Sequence, residues 1–258
     1  LRLEVVDPPT VAETTVLVRL PDYLGGGDRR PPALRTVPVP AGSDIDVRFQ
    51  ATKPLHTATI TARFADDSAA DEAGRVLASV EPAATGGSPT AIAARIASLT
   101  GDVALAVALT DHDGIPNQEP LTLLLTAVPD APPQVALQLM GISTAITPQA
   151  RLPLVGSISD DHGLVAAAVR LGRGETEAWV SLPFVRGGET LVEIAEPTPA
   201  VVPLVAIPLE AGDRLEVMVT ATDGCGLASG PNTGHSDTWT LEVVTPDALR
   251  AMLEAREI

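Results

Sequence analysis

Short acidic turns carry the residues whose types and spacing could bind a metal ion. Asp111 and Asp113 lie two residues apart in an Asp-His-Asp-Gly turn. Paired carboxylates offer the oxygen ligands that a hard cation such as calcium prefers. The turn does not match the EF-hand loop, which has glycine at its sixth position and glutamate at its twelfth. The alternative is that aspartate and glycine serve only as turn formers here.

Three further aspartates are weak candidates for the same calcium chemistry. Asp130 lies in a Pro-Asp-Ala-Pro linker, and Asp160 and Asp161 are adjacent in a second acidic turn. Cadherin-type modules place calcium at domain junctions, so these three residues could lie near such a junction. The sequence therefore yields five weak calcium candidates, Asp111, Asp113, Asp130, Asp160 and Asp161, with turn formation as the alternative for each of them.

Other chemistries have little support in the sequence. The four histidines are scattered and form neither a His-x-x-x-His pair nor a Cys/His cluster, so zinc is not predicted. The Gly-His-Ser-Asp-Thr run at residues 234–238 begins like a nucleophile elbow but lacks its closing glycine. Cys225 lies between two glycines with no basic neighbour to lower its pKa. We therefore predict no catalytic and no cofactor-binding residue, and no enzyme.

Charge and aromatic content exclude several kinds of partner. The net charge is −16, so nucleic acid and anionic membrane surfaces would be repelled. No apolar stretch approaches the roughly 20 residues of a membrane span. Aromatic residues make up only 2% of the chain, which leaves no platform for stacking on sugars. Both tryptophans, Trp179 and Trp239, fall in strand-like segments, and we expect them in the core.

A four-residue repeat indicates how these residues are organised into domains. Leu-Glu-Val-Val occurs at residues 3–6 and again at 241–244, and a similar apolar run covers 121–125. Aligning Leu3, Leu123 and Leu241 gives spacings of 120 and 118 residues. This period predicts two complete domains, at 7–129 and 130–245. Residues 1–6 would then be the orphan last strand of a preceding unit.

Alternating apolar residues predict that both domains are built from β-strands. Ile45, Val47, Phe49 and Ala51 alternate with polar residues, as a half-buried strand requires. Each unit then closes with the same pattern, in which a Gly-Asp pair, a strand, a Thr-Asp turn and a final strand follow one another. The 24 prolines and 21 glycines are spread along the chain, as in domains of many short strands. These features predict an all-β chain of two antiparallel β-sandwiches.

Three segments are harder to assign. Residues 66–99 are rich in helix formers, but comparison with the second unit favours strands, with a short helix at 67–78 as the alternative. Residues 201–209 are predicted as a strand. Thr245, Pro246 and Asp247 suit an N-cap, a first helical turn and a helix dipole, so residues 246–258 are predicted as the start of a helical segment.

Several short motifs resemble a known kind of module. They are Pro-Asp-Tyr-Leu-Gly at 21–25, Ala-Thr-Lys-Pro-Leu at 51–55, Asp-Asp-His-Gly-Leu at 160–164 and the closing Thr-Asp and Leu-Glu-Val-Val. Together they look like the tandem immunoglobulin-like modules of large, uncharacterised, membrane-anchored bacterial envelope proteins. The resemblance implies two Ig-like domains outside the cytoplasmic membrane, with a helical segment after them. It supplies no catalytic residue.

The expected function is therefore structural. We interpret the chain as a non-catalytic spacer and interaction segment of a larger exported envelope protein, periplasmic or extracellular, and anchored through other segments. Its partners would be proteins or neighbouring domains of the same chain, without nucleic acid and without membrane insertion in this segment. One alternative is a calcium-stiffened, cadherin-like adhesion module. Another is an accessory region of an enzyme whose active site lies elsewhere.

Overall fold

The chain folds into two compact units that divide between Asp130 and Ala131. The computed structural model describes residues 6–65, 74–80, 89–142, 144–183, 185–195, 201–227 and 230–255. Nearly all regular structure within these ranges is β-strand. Each unit has a buried hydrophobic cluster of its own.

The first unit is a sandwich of two sheets. One sheet has the strand order β2-β1-β4-β7 and the other β3-β9-β8-β5-β6, and neighbours are antiparallel except for β3 and β9, which are parallel. Its buried cluster takes side chains from both sheets. The strands are β1 (Val11–Arg19), β2 (Asp28–Arg29), β3 (Thr36–Pro40), β4 (Asp44–Ala51), β5 (Leu55–Phe64), β6 (Arg75–Val80), β7 (Ala91–Ile96), β8 (Val103–Asp111) and β9 (Leu121–Val128).

The second unit repeats this plan. Its sheets have the orders β10-β12-β15, with β16 also on β12, and β11-β19-β17-β13-β14, with β18 also on β17. The second buried cluster lies between them. The strands are β10 (Gln134–Leu139), β11 (Ala145–Ile146), β12 (Arg151–Ser159), β13 (Leu164–Arg173), β14 (Thr176–Ser181), β15 (Leu191–Ile194), β16 (Val201–Pro203), β17 (Arg214–Asp223), β18 (Thr233–His235) and β19 (Trp239–Val243).

Three pairings recur in both units. The first strand pairs with the second long strand, as β1 with β4 and β10 with β12. A short strand runs parallel to the last strand, as β3 to β9 and β11 to β19. The last two long strands form an antiparallel pair, β8 with β9 and β17 with β19. The prediction of two tandem Ig-like antiparallel β-sandwiches is confirmed.

Side-chain alternation explains why these strands form. In β4, Ile45, Val47 and Phe49 are each at most 1% exposed, while the residues between them face solvent or are half-buried. In β8, Val103, Leu105 and Val107 are fully buried. A period of two places every second residue on the core-facing side of a sheet, so the sequence pattern and the packing agree.

A helix follows the second sandwich, as predicted. Helix α1 spans Pro246–Glu254, and the hydroxyl of Thr245 accepts a hydrogen bond from the amide of Ala248 at 3.2 Å. This is the N-cap interaction that the sequence indicated. In the described part of the chain, no helix has both the length and the apolar character needed to span a membrane.

The segments that were hard to assign resolve in different ways. Strands β6 and β7 occupy Arg75–Val80 and Ala91–Ile96, so the strand assignment holds there and the helical alternative is wrong for 75–78. Residues 66–73 and 81–88 lie outside the described residues. Strand β16 ends at Pro203 and a 3-10 turn covers Leu204–Ala206, so a continuous strand over 201–209 is wrong. Proline has no N–H to continue a ladder, which explains the early end.

The predicted orphan strand at the start of the chain falls mostly outside the described residues. Of residues 1–6, only Val6 is described, and it has no regular structure and is 39% exposed. Strand β1 begins at Val11. The assignment of residues 1–6 to a preceding unit therefore stays a prediction.

Candidate functional site

Asp111 anchors the turn after β8 in the first unit. Its side chain is almost fully buried, and its Oδ1 accepts hydrogen bonds from the amides of Asp113 at 3.0 Å and Ile115 at 2.9 Å. Its Oδ2 lies 3.1 Å from Nζ of Lys53. The Ile115 hydrogen bond, with further help from Lys53, holds the pKa of Asp111 below its usual 3.8, against the opposing effect of burial. Both oxygens thus have partners from the chain itself.

Asp223 occupies the same place at the end of β17 in the second unit. Its Oδ1 accepts hydrogen bonds from the amides of Cys225 at 3.0 Å and Asn232 at 2.8 Å. Its Oδ2 accepts one from the side-chain amide of Asn232 at 2.8 Å. The aspartates of the two Thr-Asp motifs, Asp111 and Asp223, therefore organise the same turn in each unit.

The remaining calcium candidates differ in exposure and in hydrogen bonding. Asp160 is 9% exposed, and its Oδ2 accepts hydrogen bonds from the amides of His162 and Gly163. Within the described residues its Oδ1 has no hydrogen-bond partner. Asp161 is exposed, with its carboxylate 3.3 Å from Nε2 of His162. Asp113 is exposed and Asp130 is half-buried. The five aspartates therefore stay weak calcium candidates.

The structure brings two histidines together that are scattered in the sequence. The rings of His56 and His112 meet edge to face, with centroids 5.6 Å apart and planes at 68°. Both residues are exposed and follow Leu55 and Asp111, which pair across β5 and β8. Strand register alone creates this neighbourhood, so no local sequence motif could have shown it.

A groove with a volume of about 610 Å³ runs along one side of the second unit. One wall is β10, and the other is formed by β18, β19 and the residues between them. Its surface combines an apolar part with an imidazole and a carboxylate. The lining residues are Val135, Ala136, Leu137, Gln138, Leu139, Ile142, His235, Asp237 and Trp239.

Ser236 creates the break between β18 and β19 that opens this groove. Its amide donates to the carbonyl of Val219 at 2.9 Å, and its hydroxyl oxygen accepts from the amide of Val219 at 2.9 Å. A side-chain oxygen therefore replaces a backbone carbonyl in the ladder, and the chain leaves the sheet until Trp239. The Ser236 hydroxyl also donates to the carbonyl of Asp237 at 2.7 Å. Both hydrogen bonds of this hydroxyl are therefore made to backbone groups.

The first unit has the same break and a related groove. The backbone amide of Asn117 donates to the carbonyl of Leu109, and its side-chain Oδ1 accepts a hydrogen bond from the amide of Leu109, both at 2.9 Å. Ser236 binds Val219 in the same way, through its amide and its hydroxyl oxygen. The groove beside it has a volume of about 650 Å³. Its lining differs, because it contains two prolines and an arginine. The lining residues are Pro8, Thr10, Val11, Arg35, Asn117, Gln118, Glu119, Pro120, Leu121 and Thr122.

The two tryptophans do not share one environment. Trp239 is half-buried and packs against the core of the second unit, close to the expectation. Trp179 is 55% exposed, so the expectation of a core position is wrong. It lies on β14, at the edge of the sheet, where alternate side chains point to solvent.

The single cysteine, Cys225, is buried, with 3% of its surface exposed.

Comparisons with known proteins give only weak matches to solved structures. No family model and no curated protein matches the chain. Fibronectin(III)-like modules of Clostridium thermocellum CbhA match with a TM-score of 0.26 and 14% identity, over 80% of this chain and 88% of theirs. A two-domain fibronectin type III segment from chicken tenascin matches with a TM-score of 0.24 and 12% identity, over 79% and 94%. Likeness at this level carries no information about partners.

Proposed function

We propose that this chain is a structural and interaction segment of a larger exported bacterial envelope protein, in which its two modules space neighbouring parts. The observation that carries the proposal is the repeated construction. Two sandwiches with the same strand plan have separate buried clusters, and only residues 129–133 connect β9 to β10. Modules that each bury their own core can be strung together without depending on one another.

The linker composition supports a spacing role. Three of its five residues are proline, namely Pro129, Pro132 and Pro133. Proline fixes φ and favours extended polyproline geometry, so such linkers act as semi-rigid spacers. A glycine or serine linker of the same length would behave as a flexible coil.

The setting of this segment is also part of the proposal. The resemblance to envelope modules favours a periplasmic or extracellular location, with anchoring through segments elsewhere in a longer protein. The net charge of −16 favours protein partners over nucleic acid. Neighbouring domains of the same protein are the first candidates for such partners.

Distance distributions test the spacing role. With Cys225→Ala as background, spin labels at Asp113→Cys and Glu175→Cys, both in exposed turns, report one distance between the units. We expect a narrow distribution for the natural linker, and one at least about twofold broader when the three linker prolines are changed to glycine. Equal widths for both linkers would overturn the proposal. Unchanged melting of the glycine variant is the control for folding.

A further inference from the structure

We propose that the groove of the second unit binds an extended basic peptide segment, which adds to β10 as a new strand. This peptide site deepens the proposed interaction role and rests on it. Two properties of the groove support it, namely the outer edge of β10, which has no partner strand in the described chain, and the carboxylate of Asp237 in a lining without lysine or arginine.

The outer edge of β10 is available for pairing. Within the described chain, β10 pairs with β12 alone. The amide of Met140 donates to the carbonyl of Pro153 at 2.9 Å, and bonding alternates along an antiparallel pair. Val135, Leu137 and Leu139 therefore direct their N–H and C=O groups away from β12, and all three residues line the groove.

This edge lacks the usual protection against pairing. Natural edge strands are commonly shielded by charged side chains, by proline or by bulges. The sequence of β10, Gln-Val-Ala-Leu-Gln-Leu, contains no charge and no proline, and its register with β12 is regular over all six residues. The outward backbone groups of β10 form a template onto which an extended segment can add.

The groove is closed at the end where β10 begins. At one end, Gly234 lies so close to Pro133 that a Cβ there would be 1.7 Å from the Pro133 carbonyl oxygen. Past this contact, the chain leaves its sheet at Ser236. The wall opposite β10 is therefore not paired in a ladder at this point. Pairing with Val135 through Leu139 requires about five residues of partner, or roughly 17 Å. Alternate side chains of that partner would meet the apolar surface of Leu139, Ile142 and Trp239.

Charge selects a basic partner. Asp237 is exposed in the groove, and none of the lining residues is lysine or arginine. Acidic residues outnumber arginines by about two to one in residues 131–258. A cationic side chain opposite Asp237 would gain a rim ion pair, which contributes modestly to affinity and more to the rate of association.

The related groove of the first unit provides a contrast within the same molecule. Pro8 and Pro120 in its lining cannot donate backbone hydrogen bonds, and Arg35 brings a positive charge. We therefore expect the peptide to select the second unit.

Fluorescence of Trp239 tests the inference in the full chain. In a Trp179→Phe background, Trp239 is the only tryptophan and lines the groove. The probe is a capped heptapeptide that alternates lysine and valine. We expect a saturable fluorescence change, which is lost when the valine nitrogens are methylated. A peptide that alternates glutamate and valine should bind at least about tenfold more weakly, because it places acidic groups beside Asp237.

Variants locate the binding. Asp237→Asn should weaken the lysine–valine peptide about two- to fivefold, as expected for one rim ion pair. Glu119→Gln, which changes an exposed acid in the groove of the first unit, should have no effect. Leu139→Pro removes one outward N–H and should abolish binding while leaving the bonds to β12. If its melting shows misfolding, the methylated peptide and Asp237→Asn still decide.

Three results would overturn the inference. They are an absent fluorescence change at millimolar peptide, equal binding of the methylated peptide, and a self-association of the chain through β10 that competes with the peptide. The distance experiment on the linker does not involve the groove. A narrow distribution without peptide binding would therefore leave the spacing role standing and remove only the peptide site.

Discussion

The ammonium group of Lys53 lies 3.1 Å from Oδ2 of Asp111, although 58 residues separate the two in sequence. Lys53 is the only lysine of the chain, and the Asp111 side chain that it contacts is 3% exposed. The pair joins the start of β5 to the turn after β8, while the other oxygen of Asp111 shapes that turn. A single carboxylate thus fixes both a local and a distant part of the first sandwich.

The stability of the first unit should depend on the ionisation of Asp111. Its pKa lies below the usual 3.8, so its contribution is complete above that value and is lost as the pH falls through the native pKa. We expect Asp111→Asn to lower the melting temperature by about 5 °C at pH 7, and the difference from the natural chain to vanish at the acidic end of a pH 2–7 series. Asp113→Asn, in the same turn but exposed, is the control. A constant difference at all pH values would contradict this assignment.

Ser236 should matter for stability because it satisfies a buried amide. In Ser236→Ala the amide of Val219 loses its acceptor, which costs about 1–3 kcal/mol of the free energy of unfolding. Urea denaturation measures this loss, and Thr238→Ala, at an exposed neighbour, is the matched control. Asn117→Ala should have the corresponding effect in the first unit. A neutral Ser236→Ala would mean that the hydroxyl is not needed in the ladder.

Gly234 should tolerate no side chain. A Cβ at this position would lie 1.7 Å from the Pro133 carbonyl oxygen, which belongs to the backbone and cannot rotate away as a flexible side chain could. We expect Gly234→Ala to destabilise the second unit by more than about 2 kcal/mol in chemical denaturation, since the strand starts must separate. Gly226→Ala is the control, because a Cβ added there would meet no atom within 4 Å. Similar stabilities of the two variants would show that the chain shifts easily here.

Calcium should leave the melting temperature of the first unit unchanged. The oxygens of Asp111 already accept hydrogen bonds from two amides and Lys53, so an ion would have to displace the chain's own donors. Calorimetry with about 5 mM calcium and with chelator checks this, at concentrations that cover weak extracellular sites. A calcium-dependent rise that Asp113→Asn abolishes would instead support the adhesion-module alternative.

Local patterning explains how much of the fold could be predicted. The alternation around Phe49 and the capping at Thr245 are contained in a few neighbouring residues, and both were interpreted correctly. The exposure of Trp179 depends on β14 being an edge strand, which strand propensity does not reveal. Similarly, a 3-10 turn after Pro203 interrupts a β-branched run whose composition is typical of a single strand.

The candidate site was less accessible to sequence reasoning. The sequence indicates the acidic turns but not the partners of their carboxylates, because Lys53 reaches Asp111 only through strand register. The groove also has no sequence motif. It arises where Ser236 replaces one ladder bond with its side chain, beside the uncharged strand β10.

The burial of Cys225 gives the second unit a built-in probe of local opening. It is the only cysteine, is 3% exposed, and lies in the turn that Asp223 organises. A thiol reagent can reach it only when that turn opens. The rate of thiol modification therefore reports the opening of the second unit alone, because the first unit contains no thiol. No probe has to be introduced.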